Sequence, residues 1–504
     1  MTANYVIFER VSYSYDTMPE PLLQNISTSF SAGWTGVVGA NGAGKTTLLK
    51  LATGLLEPRE GRVRMPADAL YCAQRTDDAP ALLATLIESA DHLASEIKGR
   101  LGLTSDWAMR WESLSHGERK RAQIAVMLWQ QPQVLALDEP TNHIDAEARA
   151  LLIPALRSFR GIGLLVSHDR DLLDVLCHHC LFVDPPDAVM HPGNYSAGRR
   201  ESLREEEYAR SRRESAKRNV ARLRMEEMRR MSEARDSDRR RSKKGLDPKD
   251  HDRRAQIDLA RLTGADGRAG KLARQMRSRV EQAKLTEKNI KVRKQYELGI
   301  WIEGERCRRD ALFHIRAGSI LLGSRRELHC PNLAMLPTDR IALTGANGAG
   351  KSTLVGHILS VLDLPPKRLT YLPQEIDLKS SRDILEDVRR QPPEILGMMM
   401  TIVSRLGSRP ARLLESVEPS PGEVRKLLLA LGIARQPHLI VMDEPTNHLD
   451  LPSIECLEQA LEDCPCGLLL VSHDERFLGS LTRTRWHLAS APSSRPEHMQ
   501  LLIQ

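Results

Sequence analysis

The sequence predicts an α/β fold made of two like domains with a helical segment between them, and three observations lead to this prediction. Short stretches recur at an offset of 305 or 306 residues: GANGAGK(T/S)TL from 39 and 345, DEPTNH(I/L)D from 138 and 443, and LLVSHD from 164 and 469. In each copy, short aliphatic runs alternate with helical patterns, which is typical of a mostly parallel sheet with helices on its faces. The segment between the copies is not repeated.

The repeats and the charge distribution divide the chain into three parts. We expect domains at 1–195 and 299–504, with a linker at 196–298. From Arg199 to Lys294 there are 32 Lys and Arg against 17 Asp and Glu, whereas the rest of the chain has 41 against 49. A strongly basic linker between mildly acidic domains indicates a polyanionic partner for the linker.

Each copy places a predicted strand before a glycine-rich loop and a helix after it. Trp34–Val38 and Arg340–Thr344 are the apolar runs before the loops, and Val134–Leu137 and Leu439–Met442 are later buried strands. The loops match the P-loop pattern, whose backbone amides surround phosphates while the lysine reaches the terminal phosphates. The predicted nucleotide-binding residues of the two loops are Gly39, Ala40, Asn41, Gly42, Ala43, Gly44, Lys45, Thr46, Thr47, and Gly345, Ala346, Asn347, Gly348, Ala349, Gly350, Lys351, Ser352, Thr353.

An acidic pair follows the second predicted strand of each copy. Asp138 and Asp443 stand at the strand end, where a carboxylate that orients Mg²⁺ belongs, and Glu139 and Glu444 come next. A glutamate in this position can accept a proton from the water that attacks the γ-phosphate. The alternative is an ordinary acidic pair, but the fixed distance from each P-loop argues against it.

The linker predicts a helical hairpin with an extended tip. Helical, charge-rich patterns cover Arg199–Arg240 and Leu272–Tyr296, and turn signals including the Gly264–Gly270 cluster lie between them at 242–271, with a short helix expected near Ala255–Leu262. The alternative is a solvated coiled-coil spacer, but the excess of cations favours RNA binding. The predicted RNA-binding residues of the tip are Lys243, Lys244, Lys249, Arg253, Arg254, Arg261, Arg268 and Lys271.

Further motifs give the chain a resemblance to a known family. LSHGE at 114–118 is a near match to the cassette signature, and Gln74, Gln374, His168 and His473 stand where cassettes place a glutamine and a switch histidine. The chain therefore resembles a tandem ATP-binding cassette protein. DEPTNHID and DEPTNHLD are similar to the corresponding motifs of the F family, twin-cassette proteins that act on ribosomes.

The resemblance implies roles for individual residues. ATP would bind with Mg²⁺, and the histidines would contact the γ-phosphate. Tyr15 would stack on adenine, although core packing remains open for this ring; the corresponding position in the second copy is Leu321. The implied Mg²⁺-site residues are Thr46, Gln74, Asp138, Ser352, Gln374 and Asp443. The implied signature residues, which would meet the ATP of the opposite cassette, are Ser115, Gly117, Glu118, Ser420, Gly422 and Glu423.

The second signature departs from the family pattern, because Pro419 and Pro421 flank Ser420. We therefore expect the two ATP sites to be unequal. Independently of ATP, Ser115 and Glu118 match the capping box of a helix through Arg119–Leu128.

The resemblance also implies a function. In the F family the linker reaches P-site tRNA near the peptidyl-transferase centre of the ribosome, and a long tip is similar to the branch that protects ribosomes from antibiotics. A housekeeping translation factor of the same family is the alternative. An exporter ATPase would need separate membrane subunits and has no place for the hairpin, and DNA-repair ATPases carry zinc modules or longer coiled coils.

We expect a cytoplasmic monomer whose two cassettes pair within the chain, with no membrane span. Cys177 and Cys180 form a single CxxC, which we interpret as buried cysteines because no second pair lies nearby in the sequence.

Overall fold

The computed structural model describes residues 5–16, 21–142, 144–240, 255, 267–290, 307–322, 326–406, 408, 421–447, 449–490 and 498–504. Its contacts divide the chain into two compact units. One unit combines Met1–Gly198 with Tyr296–Gln504, and the other is Arg199–Gln295.

The first copy is built on a six-stranded sheet with order β5-β6-β7-β3-β8-β9, parallel except for the last pair, and on a small antiparallel sheet with order β2-β1-β4. Its strands are β1 Val6–Tyr13, β2 Leu23–Phe30, β3 Gly33–Gly39, β4 Glu60–Arg64, β5 Ala69–Cys72, β6 Val134–Asp138, β7 Ile162–Val166, β8 Cys177–Asp184 and β9 Asp187–Pro192. Its helices are α1 Lys45–Ala52, α2 Leu83–Glu88, α3 His92–Leu101, α4 His116–Trp129, α5 Ala146–Arg157 and α6 Arg170–Leu176, with a 3-10 turn at Trp111–Ser113.

The second copy repeats the central strand order as β15-β16-β17-β14-β18, within an eight-stranded sheet that continues through β19, β12 and β11, while β10 pairs with β13. Its strands are β10 Phe313–Ile315, β11 Gly318–Leu322, β12 Arg326–Cys330, β13 Leu333–Met335, β14 Arg340–Gly345, β15 Leu369–Leu372, β16 Leu439–Asp443, β17 Gly467–Val471, β18 Thr484–Ser490 and β19 His498–Ile503. Its helices are α9 Lys351–Val361, α10 Leu378–Arg389, α11 Pro393–Arg405, α12 Pro421–Ala434, α13 Leu451–Glu462 and α14 Glu475–Leu481, with a 3-10 turn at Pro366–Arg368.

Burial explains why the central strands are continuous aliphatic runs. Every residue of β6, β7, β16 and β17 is buried, because helices cover both faces of each sheet. The strands predicted from the sequence all form, and the two-cassette α/β fold is confirmed. The strands bring their carboxyl ends, with Asp138 or Asp443, to the edge where the P-loop lies.

The described residues of the linker unit form two long helices. They are α7, Tyr195–Arg240, which begins in the preceding unit, and α8, Gly267–Asn289. Its 46 residues make α7 about 70 Å long at 1.5 Å per residue. The helices lie side by side, since Tyr208 of α7 and Thr286 of α8 line one pocket. Ion pairs one turn apart, such as Arg218–Glu214, run along α7.

The structure corrects one detail of the linker. The sequence predicts turns through the Gly264–Gly270 cluster, but Gly267 and Gly270 lie in the first turn of α8. A glycine costs a helix only about 1 kcal/mol, so helical neighbours can override it. The predicted tip cations Lys243, Lys244, Lys249, Arg253, Arg254 and Arg261, and the predicted Ala255–Leu262 helix apart from the helical Ala255, fall outside the described residues. Arg268 and Lys271 belong to α8.

Within the described part of the chain, no helix combines the length and the apolar character needed to cross a bilayer.

Candidate nucleotide-binding sites

The two P-loops have the backbone geometry that phosphate binding requires. Gly44 and Gly350 precede α1 and α9 with φ of 95° and 97°. This is the left-handed region, and a Cβ added there would stand 3.0 Å from Leu22 or 2.5 Å from Leu322, so only glycine fits. Neither helix has a side-chain cap at its first turn, which leaves the terminal amides without a capping side chain and suited to bind an anion.

Each P-loop lysine lies across its own loop. Lys45 Nζ donates to the carbonyls of Gly39 and Ala40 at 2.9 and 3.0 Å, and Lys351 Nζ makes the equivalent pair of bonds at 2.8 and 3.1 Å. Burial lowers the pKa of both lysines. Each ammonium is therefore held over the concave side of the loop, where phosphate oxygens would replace the carbonyls as its partners.

A hydroxyl and a carboxylate meet behind each lysine. Thr46 Oγ1 donates to Asp138 Oδ2 at 2.7 Å, and Ser352 Oγ donates to Asp443 Oδ2 at 2.8 Å. Tyr71 also donates to Asp138 Oδ2, at 2.9 Å. Burial raises the pKa of Asp443. The predicted pairs therefore come together in both copies.

The glutamates after the aspartates adopt a strained backbone. Glu139 and Glu444 both have a φ of 49°, which is uncommon for a residue with a side chain. The repeated fold imposes this conformation in both copies, as it also does at Gln131 and Gln436. Burial raises the pKa of both carboxyls to about 7, where a general base is most effective.

The switch histidines contact these glutamates. His168 Nε2 lies 3.1 Å from Glu139 Oε1, and the backbone amide of His168 donates to Glu139 Oε2 at 3.1 Å. His473 Nε2 lies 3.6 Å from Glu444 Oε1, 3.3 Å from Lys351 Nζ and 3.2 Å from Asn347 Oδ1. Burial and then the charge of Lys351 lower the pKa of His473 to about 4, so this ring is neutral at pH 7.

The two cassettes face each other, and their P-loops differ in what covers them. Asp450 of the second cassette accepts a bond from the Asn41 amide of the first P-loop at 2.6 Å. The second P-loop borders a cavity of about 710 Å³ that Thr141, Asn142 and His168 of the first cassette also line. The first P-loop therefore bonds directly to the opposite cassette, and the second P-loop shares a cavity with it.

Ion pairs behind the P-loops join the cassettes. Arg170 makes a two-pronged contact with Glu458, with Nη1 at 2.8 Å and Nη2 at 2.5 Å, and both side chains are mostly buried. Arg476 donates to Asp174 at 2.7 Å across the same boundary. These contacts start one or two residues after the capping residues Asp169 and Asp474, which follow the switch histidines.

The first signature has the predicted capping box. The Glu118 amide donates to Ser115 Oγ at 3.3 Å, and Glu118 Oε2 accepts from the Ser115 amide at 2.8 Å. Ser115 is exposed, and Gly117 and Glu118 are partly exposed, but none of the three lines the cavity at the second P-loop. In the second cassette α12 begins at Pro421, as expected for proline at a helix start, and its first turn contains Gly422 and Glu423. Ser420 is outside the described residues.

The remaining predicted residues differ in whether they lie beside a P-loop. The Tyr15 hydroxyl lies 2.9 Å from Thr47 Oγ1, and its ring is 37% exposed beside the P-loop helix, so it is not a core residue. Leu321 is exposed as well. Gln374 lines the cavity with Ser352 and Asp443, whereas Gln74 is exposed.

Sequence reasoning missed three residues that hold the sites. They are Tyr71 on Asp138, Asp450 on the first P-loop, and Arg425, whose guanidinium donates to the carbonyls of Glu444 and Asn447. A signal existed for the tyrosine, since Tyr71 and Tyr371 both stand three residues before the cassette glutamine. Cys177 and Cys180 are buried, and no cluster of three metal-ligating side chains occurs among the described residues.

Comparison with known proteins identifies this arrangement. A family model described as ABC transporter matches residues 23–142 and 328–447, which contain the P-loop and the acidic pair of each copy. The chain is a twin ATP-binding cassette ATPase. ATPase cassettes of this kind bind ATP, normally with Mg²⁺.

Relatives of this twin-cassette ATPase span nearly its whole length. The ribosome protection protein VmlR of Bacillus subtilis is 27% identical, with 97% of this chain and 90% of the relative covered. The energy-dependent translational throttle protein EttA of Escherichia coli is 28% identical, with 91% and 87% covered. These relatives are F-family proteins.

Solved structures show the same fold. The archaeal ribosome recycling factor aABCE1 superimposes with a TM-score of 0.61 at 16% identity, with 98% of this chain and 89% of the other covered. At this identity the likeness shows the fold alone.

Proposed function

We propose that this ATPase binds the ribosome and couples ATP binding and hydrolysis to an action of its linker on ribosomal RNA and P-site tRNA near the peptidyl-transferase centre. The observation that supports this most is the combination of two facing cassettes with a linker whose segment from Arg199 to Lys294 has a net charge of +15. A membrane exporter motor gains nothing from such a linker, whereas cations on long helices suit a cleft lined with phosphates. The names of VmlR and EttA, a ribosome protection protein and a translational throttle, point the same way.

The geometry supports roles for the predicted residues. Glu139 and Glu444 act as general bases, because their carboxyls are buried with a pKa of about 7 beside the P-loops. Lys45 and Lys351 bind the terminal phosphates. His168 and His473 orient the γ-phosphate, and the signatures around Ser115 and Ser420 bind the ATP of the opposite cassette.

Mg²⁺ fits the residues that the P-loops present. The hydroxyls of Thr46 and Ser352 and the carboxylates of Asp138 and Asp443 are hard oxygen donors, already paired within 2.8 Å in both copies. Mg²⁺ prefers a few such ligands beside substrate phosphates and water. When bound, it would neutralise phosphate charge, and Gln74 and Gln374 are the further residues that would help to hold it.

Two states follow from the cassette contacts. ATP bound between a P-loop and the opposite signature would hold the cassettes together, and hydrolysis would remove the γ-phosphate that joins them. Tyr195 at the start of α7 donates to Glu455 of the second cassette at 2.7 Å, so the linker begins at the boundary between the cassettes. Opening and closing of the two cassettes would therefore move the residues at which the linker begins.

Protection of ribosomes against antibiotics is the finer role that we propose, with a housekeeping F-family translation factor as the second candidate. The similarity to VmlR supports the first and the similarity to EttA supports the second. Drug susceptibility of a host with and without the gene separates them. Reduced inhibition zones without the gene, or no change, would reject protection.

The experiment that tests ribosome binding is ATPase activity with added ribosomes, naked DNA or liposomes. We expect stimulation by ribosomes because the basic linker meets structured RNA there. Stimulation by DNA alone would favour a DNA-repair ATPase, and stimulation by liposomes alone would favour an exporter motor.

The tip cations give a separate prediction. Replacing Lys243, Lys244, Arg253 and Arg254 with glutamine should flatten the dependence of ribosome affinity on salt, since each lost phosphate contact lowers the slope by about one unit. The control replaces Arg218 and Arg230 of α7 in the same way, because both pair with glutamates of their own helix. An unchanged slope in the tip variant would show that the tip does not contact RNA.

A further inference from the structure

A buried cation follows each signature at the same position of the repeat. It is Lys120 in α4 and Arg425 in α12, five residues after Ser115 and Ser420. Lys120 is 0% exposed and Arg425 is 3% exposed. A buried charge is costly unless its donors are satisfied, so the partners of these cations indicate what they hold in place.

Lys120 holds one loop. Its Nζ donates to the carbonyls of Ala73 and Gln74 at 2.6 and 3.1 Å. The bonds join the signature helix α4 to the segment that carries the cassette glutamine. Its other partners are Gln123 Oε1 of the same helix, at 3.4 Å, and Cys72 Sγ, at 4.0 Å, just before the same segment.

Arg425 holds two loops. Its Nη2 donates to the carbonyls of Pro373, at 3.0 Å, and Gln374, so it makes the same connection as Lys120. Its Nη1 also donates to the carbonyls of Glu444 at 3.0 Å and Asn447 at 2.9 Å. A planar guanidinium presents two separate nitrogens in a fixed fork, which a lysine ammonium does not.

The additional bonds reach the strained residue of the site. Glu444 has a φ of 49°, and its carbonyl accepts from Arg425 and from the Asn447 amide at 3.3 Å. A strained conformation persists only where several contacts fix it. In the first cassette the Glu139 carbonyl accepts from the Asn142 amide at 3.4 Å, while the bonds of Lys120 go elsewhere.

We propose that Arg425 is a positioning residue for ATP hydrolysis at the second P-loop, where it couples the position of the signature helix α12 to the Glu444 peptide and to the Gln374 segment. Arg425 acts through these backbone groups. Lys120 fixes only the Gln74 segment, so the glutamates of the two sites differ in how they are held. The inference rests on the proposed role of Glu444 as the base.

The test replaces Arg425 with lysine in the full chain. Arg425→Lys keeps the buried charge but cannot reach both loops. We expect kcat to fall by up to about two-fold, because one of two sites is impaired while the other still works, with the KM for ATP unchanged. Hydrogen exchange of the Thr446 and Asn447 amides should become faster, which a general loss of stability would not confine to this loop.

The matched control is Arg340→Lys. Arg340 also donates to three backbone carbonyls, those of Leu461, Glu462 and Cys464, but these lie at the end of α13. We expect this variant to keep the kcat of the wild-type protein and its exchange rates at the Thr446 and Asn447 amides. An equal loss of kcat in both variants would overturn the proposal, because it would reduce Arg425 to a structural residue.

Three further outcomes decide the proposal. Wild-type kcat in Arg425→Lys would overturn it. If Arg425→Lys does not fold, Arg425→Gln, which keeps two N–H donors without the charge, should show the same loss of kcat at unchanged KM, and wild-type kcat there would overturn it. If Glu444→Gln keeps the wild-type kcat, Glu444 is not the base and the proposed function is wrong on this point. If Arg425→Lys then still has a reduced kcat, its effect does not pass through Glu444, and the proposed coupling is overturned.

Discussion

At the residue scale, the sites depend on two buried glutamates whose protonation changes near neutral pH. Burial raises the pKa of Glu139 and Glu444 from 4.5 to about 7. Below pH 7 each carboxyl holds a proton in the folded chain and cannot accept one from the attacking water. The folded state also binds more protons than the unfolded state between about pH 4.5 and 7, so these groups lower stability as pH rises through that window.

The pH dependence of kcat/KM checks this directly, since it reports the protonation of the free enzyme. We predict that kcat/KM rises about ten-fold per pH unit below the midpoint and levels off above about pH 7. His473 cannot cause this rise of kcat/KM with pH, because its pKa is lowered to about 4. A flat profile between pH 6 and 8 would contradict the assignment of the glutamates as bases.

The site residues that the sequence predicts lie in short motifs, whereas the partners of the residues that it misses are distant in the chain. Lys45, Thr46 and Asp138 belong to short motifs whose chemistry follows from spacing. Arg425 lies outside these motifs, and Asp450, although it ends the repeated motif DEPTNHLD, contacts Asn41, which is 409 residues away in the chain. No local pattern specifies such a contact.

At the element scale, the signature helix α4 combines a structural cap with a proposed phosphate contact. Ser115 accepts from the Glu118 amide, and Asp377 caps α10 in the same way through the Ser380 amide. Replacing either cap with alanine should cost about 1 kcal/mol of stability.

The paired variants separate the two roles of the serine. We predict that Ser115→Ala lowers kcat/KM for ATP several-fold and that Asp377→Ala leaves it unchanged, although both lower the melting temperature. The measurement is steady-state ATPase activity beside thermal unfolding. Equal ATPase activities of the two variants would show that Ser115 only caps its helix and does not contact ATP.

Element prediction succeeded where burial imposes a repeated pattern. The all-buried strands β6 and β16 were readable as aliphatic runs, and the P-loops fixed the following helices. The start of α8 was not readable, since its glycines signal a turn while the helix continues through them. The preference of these glycines for a turn is weak, and the stability of the rest of α8 overrides it.

At the scale of the whole molecule, the account needs the cassettes to hold together through contacts outside the nucleotide. The Arg170–Glu458 pair provides one, because its two bonds of 2.8 and 2.5 Å are mostly shielded from water. Removing one partner of a shielded pair leaves the other charge uncompensated.

Two glutamate variants test this interface. Glu458→Ala should destabilise the chain by about 2–3 kcal/mol, discounted from a fully buried pair for its partial exposure. Glu475→Ala is the control, because Glu475 makes a similar two-pronged pair with Arg485 that is exposed and lies within one cassette. Denaturant unfolding measures the free energy of unfolding of both variants. Equal losses would show that the Arg170–Glu458 pair stabilises the chain no more than an exposed pair within one cassette.

The most direct test of the central claim is ribosome co-sedimentation of the double variant Glu139→Gln and Glu444→Gln with ATP. Hydrolysis should fail while ATP still binds, so the cassettes should stay closed and the protein should remain on ribosomes after the wild-type protein has left. Release of the double variant at the wild-type rate would contradict the claim that ATP closure places the linker on RNA and hydrolysis removes it.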